Sequence, residues 1–160
     1  MKDSFVNGLS ALYNTEKLIV DGMPDMMKGI ENPQTKQMME QHGQETEQQM
    51  KRLEQIFEMI GEKPNNIQPD GIIGILKENS KIQSQGYDAP TLEATTIGAA
   101  QRIEHYEIAG YGLLASMAKH LGMSDAAGLL GETLGEEKNA NEKLSDAAES
   151  QAVPQAAQAA

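Results

Sequence analysis

Apolar residues recur at steps of three and four along four long stretches of this sequence, and this spacing is the strongest constraint on its fold. Because an α-helix has about 3.6 residues per turn, such spacing places the apolar side chains on one helix face. The predicted helices cover residues 4–30, 34–61, 91–121 and 124–148. Turn residues cluster between them, without the regular short spacing of β-sandwiches. The pattern predicts an all-α protein.

The connections between the predicted helices indicate how they pack. Short turns make the first and second helices antiparallel, and likewise the third and fourth. Residues 65–90, between the second and third helices, contain an apolar segment from Ile72 to Ile82 that predicts one or two short helices in a crossover. Two antiparallel pairs joined by a long crossover are typical of a ferritin-like four-helix bundle. We expect the bundle to occupy residues 1–148, and the Ala/Gln-rich residues 149–160 to be disordered.

Composition and charge exclude several classes of function. The chain has no cysteine, which excludes disulfides and thiolate metal sites. Its net charge of −11 would repel nucleic-acid phosphate and anionic lipid, so neither nucleic acid nor a membrane is an expected partner. No apolar run approaches the roughly 20 residues of a membrane span, and the N-terminus lacks the apolar region of a signal peptide. We therefore expect a cytoplasmic protein.

Glutamates interrupt the apolar stripes of the first and third predicted helices. Glu16 takes a position between Leu12 and Ile19 that should be apolar, and Glu104 and Glu107 take two successive inward positions. Burying an ionised carboxylate without a partner costs several kcal/mol. A cation shared among these carboxylates is the simplest compensation, and a network of tyrosine or basic partners is the alternative.

The second and fourth predicted helices carry further acids near their inward faces. His42 and Glu45 share one face of the second helix, and either Glu136 or Glu137 could point inward from the fourth. At ~1.5 Å per residue, the acids of each antiparallel pair lie at the same depth to within about 6 Å. One layer of carboxylates from all four helices is the pattern of a di-metal site.

The residues around these acids also resemble a known family. The segments concerned are Leu12–Lys17, His42–Glu54, Glu104–Gly112 and Glu132–Lys138. The most specific of them is Glu-His-Tyr-Glu-Ile-Ala at 104–109. Together they resemble the YciE/YciF-like stress proteins of the ferritin-like superfamily over about residues 4–147.

The resemblance implies a rubrerythrin-like bundle that forms a homodimer and contains a di-iron or di-manganese centre. The ligands that it implies are Glu16, Glu45, Glu104, Glu107 and Glu136, with His42 as a terminal ligand. The chain departs from well-studied di-iron bundles, which carry Glu-x-x-His on two helices. Here Gln48 and Asn139 stand in the histidine positions, and Gln49 replaces a histidine of the relatives.

Two hypotheses about function follow. The first is a di-metal protein of the stress response that oxidises Fe(II) or consumes peroxide. The second is a metal-free dimeric structural or interaction protein whose buried carboxylates form a hydrogen-bonded network, and the missing Glu-x-x-His motifs favour it. A storage cage is less well supported, because the sequence shows no fifth bundle helix.

Overall fold

The computed structural model describes residues 1–159. Four long helices and one shorter helix follow the segments that the sequence predicted to be helical, and no strand occurs in these residues. The helices are α1 (Lys2–Met26), α2 (Pro33–Ile60), α3 (Asp70–Gln83), α4 (Ala89–His120) and α5 (Ser124–Ala147). The all-α prediction is therefore confirmed, and the crossover contains a single helix, α3.

Local capping explains where α2 and α4 begin and where α2 ends. The side chain of Asn32 accepts a hydrogen bond from the backbone N–H of Gln34 at 2.9 Å. Asp88 accepts one from the backbone N–H of Thr91, also at 2.9 Å. These bonds satisfy N–H groups that have no partner inside the helix. Gly61 ends α2 in the left-handed conformation, with a φ of 69°.

Helix α1 begins two residues before the start, and ends four residues before the end, of the predicted range of 4–30. Ser4 is a candidate cap in the sequence, but the helix starts at Lys2, so Ser4 lies inside it. Gly22 and Pro24 do not end the helix, which continues to Met26. Burial of Ile19, Met23 and Met26 in the core favours continuation of the helix at this end.

Gly29, in the turn between α1 and α2, is expected not to tolerate alanine. Its φ is +81°, and an added Cβ would lie 2.4 Å from Cδ2 of Leu92. Strain and overpacking together should lower the free energy of unfolding of Gly29→Ala by about 2–4 kcal/mol. The matched control is Gly61→Ala, because Gly61 has a φ of +69° but open space around it. Urea denaturation should show a smaller loss for the control, and equal losses would contradict a role for the Leu92 contact.

The four long helices α1, α2, α4 and α5 pack as an antiparallel bundle. Helix α1 contacts α2 and α4, and α5 contacts α4 and α2. Helix α3 lies across the outside and contacts α4 and α1. This is the predicted ferritin-like arrangement, with α3 in the long connection between the two pairs. Within residues 1–159 no helix has both the length and the hydropathy needed to cross a membrane.

The residues after α5 are helical, whereas the sequence led us to expect disorder from residue 149. A π-helical turn at Ala148–Ala152 leads into α6 (Val153–Ala159), and α6 packs against α4. Ala152 is buried in the core. Alanine has the highest helix propensity, and a small side chain can fit closely against α4. The last residue of the predicted tail, Ala160, lies outside the described residues.

The core consists of two apolar clusters at different depths of the bundle. One cluster contains Phe5, Leu9, Leu12, Leu53, Tyr111 and Leu130. The other contains Ile19, Met23, Met39, Ile103 and Leu144. In each bundle helix, the segment between the two clusters carries buried polar side chains. The bundle therefore has a polar layer between two apolar layers.

Candidate metal centre

Four glutamates lie in this polar layer and are almost completely shielded from solvent. Glu16 comes from α1, Glu104 and Glu107 from α4, and Glu137 from α5; each is at most 1% exposed. The apolar stripe of each helix continues above and below its glutamate, and this fixes the inward orientation. The structure therefore places the three stripe-breaking glutamates of α1 and α4 where the sequence predicted them.

The tightest group in the layer consists of three carboxylates and an imidazole. His42, Glu104, Glu107 and Glu137 each offer one ligand atom, and these atoms all lie within 4.8 Å of one another. Nε2 of His42 is 3.3 Å from Oε1 of Glu104. The group joins α2, α4 and α5, and only His42 is partly exposed. Four ligand atoms at this spacing could hold one small cation.

Glu16 lies next to this group and is held by a tyrosine. The Tyr111 hydroxyl donates a hydrogen bond to Oε1 of Glu16, and both side chains are buried. The other oxygen of Glu16 has no hydrogen-bond partner in the described part of the chain. Glu16 can therefore still offer one oxygen to the layer.

The structure separates Glu137 from Glu136, which the sequence left as alternatives. Glu137 points into the layer, whereas Glu136 lies at its edge with 29% of its side chain exposed. Arg52 of α2 binds Glu136 through two hydrogen bonds of 2.6 and 2.7 Å. It also contacts Glu132 at 2.9 Å. A guanidinium thus neutralises Glu136, which is not part of the tight group.

Glu45 also lies outside the tight group. It is half-buried and accepts a hydrogen bond from Gln41 at 3.0 Å. The inward positions of α2 at this depth belong to Thr46 and Gln49, which are fully buried. Of the seven sequence candidates, Glu45 and Glu136 are therefore the two that sit at the edge of the layer.

Gln49 was noted in the sequence only as a replacement for a histidine of the relatives, and Arg52 was not predicted to take part in the site. The amide of Gln49 donates to Oε1 of Glu137 and also approaches Oε2 of Glu136 at 3.2 Å. Arg52 follows Gln49 by one helical turn and binds the same Glu136. The signal available in the sequence was the pair Glu132 and Glu136, four residues apart on one face of α5. Gln49 orients Glu137, and Arg52 orients Glu136.

Burial makes it costly for these carboxyl groups to carry charge. Burial raises the pKa of Glu16 to about 8, partly opposed by the hydrogen bond from Tyr111. Burial and the neighbouring Glu137 carboxyl raise the pKa of Glu104 to about 10. Burial, with the charges of Glu16 and Glu137, raises the pKa of Glu107 well above its ordinary value. Desolvation and the neighbouring carboxyl groups therefore make ionisation of the layer unfavourable without a balancing cation.

The hydrogen-bond inventory tests whether a metal fits here. Both oxygens of Glu107 and one oxygen each of Glu16, Glu104 and Glu137 are buried without a partner in residues 1–159. Buried polar atoms normally have a hydrogen-bond partner, so five such oxygens in one layer require an explanation. Carboxylate oxygens with one imidazole suit hard or borderline divalent ions such as Mn(II) and Fe(II). The residues present fit such an ion.

Tyr111→Phe tests how strongly the layer depends on its hydrogen bonds. The change removes the hydroxyl that donates to Oε1 of Glu16, inside a fully buried layer. We expect the free energy of unfolding of the metal-free protein to fall by about 1–3 kcal/mol. Thermal melting measures the effect, with Tyr87→Phe as control because Tyr87 is 45% exposed. Equal melting temperatures for wild type and Tyr111→Phe would contradict the proposed bond.

The fold and the buried carboxylate layer define a ferritin-like helical bundle. The sequence matches the family described as "Domain of unknown function (DUF892)" over residues 1–157. It is 34% identical over 149 residues to protein YciF of Escherichia coli K12, covering 92% of this chain and 90% of that one. The chain belongs to the DUF892 family. Its identity to YciF confirms the resemblance to YciE/YciF-like proteins that the sequence predicted.

Solved structures of relatives have the same fold. The crystal structure of the E. coli stress protein YciF matches with a TM-score of 0.89 and 34% identity, covering 92% of this chain and 93% of that one. YcfI of Rhodopseudomonas palustris matches with a TM-score of 0.88 and 36% identity, covering 91% and 92%. A protein of Xanthomonas campestris matches at 0.75 with 24% identity and supports the fold alone.

Proposed function

We propose that this bundle binds Fe(II) or Mn(II) in its polar layer and acts in the stress response. The observation that carries the proposal is the set of five buried carboxylate oxygens without partners, beside the four ligand atoms that lie within 4.8 Å of one another. His42, Glu104, Glu107 and Glu137 would hold one ion. Glu16 and the half-exposed Glu45 would complete a di-metal centre.

The chemistry supplied by such a centre, when bound, is electron exchange between the metal and dioxygen or peroxide. The chain's own residues prepare the layer for it. Gln49 orients Glu137, and Tyr111 orients Glu16. The apolar clusters on both sides exclude water, which strengthens every charge interaction within the layer. Oxidation of Fe(II) or consumption of peroxide is the activity that this arrangement favours.

The link to stress comes from the relatives. YciF of E. coli is described as a stress protein, and this chain shares its fold and a third of its residues. We propose the same physiological context for this chain. We also propose that it acts as a homodimer, which sedimentation of the purified protein would test.

Metal content and thermal melting test the proposal together. Protein produced in iron-rich and in manganese-rich medium should contain Fe or Mn in at least equimolar amounts. Anaerobic addition of Fe(II) or Mn(II) to metal-free protein should stabilise it, by about 2.7 kcal/mol at a concentration 100 times the dissociation constant. Absence of both metals from the purified protein, together with an unchanged melting temperature on addition, would contradict metal binding.

The second candidate is a metal-free structural or interaction protein. The bonds from Tyr111 to Glu16 and from Gln49 to Glu137 favour it, because they begin a hydrogen-bonded network that protonated carboxyls could complete. The relative YcfI has been described as a candidate structural protein. This version predicts that added Fe(II) and Mn(II) leave the melting curve unchanged.

A further inference from the structure

A narrow cavity runs from the polar layer into the methionine-rich end of the bundle. Its volume is about 30 Å³, and His42 and Glu104 are among the residues that line it. Gln41 and Lys143, which are both exposed, also line it. Measured in the same way, as space open to a water-sized sphere, one water molecule needs roughly 10–15 Å³. The cavity therefore has room for two waters or for one molecule of hydrogen peroxide, and it reaches the surface.

Four thioethers line this cavity. They belong to Met23, Met26, Met38 and Met39. Three of them, Met23, Met26 and Met39, are at most 8% exposed, and all the buried methionines in the described residues are among these three. The other lining side chains near them are aliphatic, such as Ile19, and do not react with peroxide. The buried thioethers of the core thus share this cavity, whereas Met23 and Met26 also line open grooves at the surface.

We propose that this cavity is a methionine oxidation site that takes up hydrogen peroxide. The thioether sulfur attacks one peroxide oxygen, the S–O bond forms, and the O–O bond breaks. The departing hydroxide takes the proton of the transferred OH group, so the products are methionine sulfoxide and water. The reaction consumes one peroxide per thioether and needs no metal, so it is independent of the function proposed above.

The position of the cavity gives the reaction a use. Peroxide that enters beside the exposed Gln41 or Lys143 reaches a cavity that the thioethers share with His42 and Glu104. The methionines can therefore consume oxidant inside the cavity that borders the polar layer. Sulfoxide places a polar group among apolar side chains, so it must be returned to the thioether by a two-electron reduction that releases water. A sulfoxide-reducing reaction is thus expected to act on this protein.

The test compares two peroxides of different size on the metal-free, full-length protein. Hydrogen peroxide fits the cavity, and tert-butyl hydroperoxide is too bulky for it. Peptide mass spectrometry follows sulfoxide at Met39, with Met1 and Met59 as exposed references at 67% and 46% exposure. Oxidation of a buried methionine through unfolding alone would be slower than at the references by about a thousandfold or more. We expect hydrogen peroxide to oxidise Met39 within about thirtyfold of the Met59 rate.

Two results would overturn the proposal. One is complete oxidation of Met1 and Met59 by hydrogen peroxide while Met39 stays unmodified. The other is an equal ratio of Met39 to Met59 oxidation with both peroxides, because this would indicate unfolding instead of entry. A cavity-filling variant, Ala140→Leu, should lower the Met39 rate at least about tenfold and leave Met59 unchanged. If this variant fails to fold, the comparison of the Met39 to Met59 oxidation ratio between the two peroxides in the unmodified chain still tests the proposal.

Discussion

Glu107→Gln is expected to weaken Fe(II) and Mn(II) binding at least about a hundredfold and, at the same time, to stabilise the metal-free protein. Both oxygens of Glu107 are buried without a partner in the described chain, so this side chain contributes most to the metal and least to the apo fold. Glutamine has nearly the same shape but carries no charge. The free energy of unfolding of the apo protein should rise by about 1–4 kcal/mol, because a buried ionisable group is replaced by a neutral one.

Calorimetric titration with Mn(II) and urea denaturation measure the two effects. Glu93→Gln is the matched control: Glu93 is also buried on α4, but it accepts a hydrogen bond from Thr35 and lies outside the metal group. The control should retain its metal affinity. If Glu107→Gln binds Mn(II) as tightly as wild type, Glu107 is not a ligand.

The stability of the metal-free protein is expected to fall as the pH rises from 5 to 9. In the fold, the pKa of Glu16 is raised from 4.5 to about 8, and that of Glu104 from 4.5 to about 10. A group with a raised pKa binds its proton more tightly in the folded state than in the unfolded state. The resulting stability is complete below pH 4.5 and is lost progressively as the pH rises toward the folded pKa. The loss should amount to several kcal/mol.

Bound metal should reverse this trend. A cation competes with protons for the same carboxylates, so metal affinity should increase with pH and offset the loss of stability. Urea denaturation at pH 5, 7 and 9, with and without Mn(II), measures both slopes. An apo protein that becomes more stable between pH 5 and 9 would show that the carboxyl groups are not buried as described.

Much of the fold could be predicted because apolar periodicity reports directly on helix faces. Helix α2 was predicted at 34–61 and is found at Pro33–Ile60. The same periodicity identified Glu16, Glu104 and Glu107, since a charge within an apolar stripe has only one direction to point. The helical end of the chain was not predicted, because short Ala/Gln-rich segments are equally typical of disorder. The choice between helix and disorder depends on a tertiary contact, the packing of Ala152 into the core.

The remaining ligand candidates needed tertiary contacts. Glu136 and Glu137 lie on adjacent stripes of α5, and the choice between them depends on Arg52, which binds Glu136 from another helix. Glu45 was expected in the layer because it lies at the right depth. Rotation about the α2 axis instead places Gln49 inward, and Glu45 at the edge. Depth can be counted along a sequence, whereas rotation about the helix axis is set by the neighbouring helices.

Anomalous X-ray diffraction from crystals grown with Mn(II) tests the central claim most directly. We predict an anomalous peak inside the bundle within about 2.5 Å of ligand atoms of His42, Glu104, Glu107 and Glu137, because Mn–O and Mn–N bonds are shorter than this limit. A peak found only among exposed carboxylates at the surface would contradict a metal centre in the polar layer. So would a fully Mn-soaked crystal without a peak in the bundle.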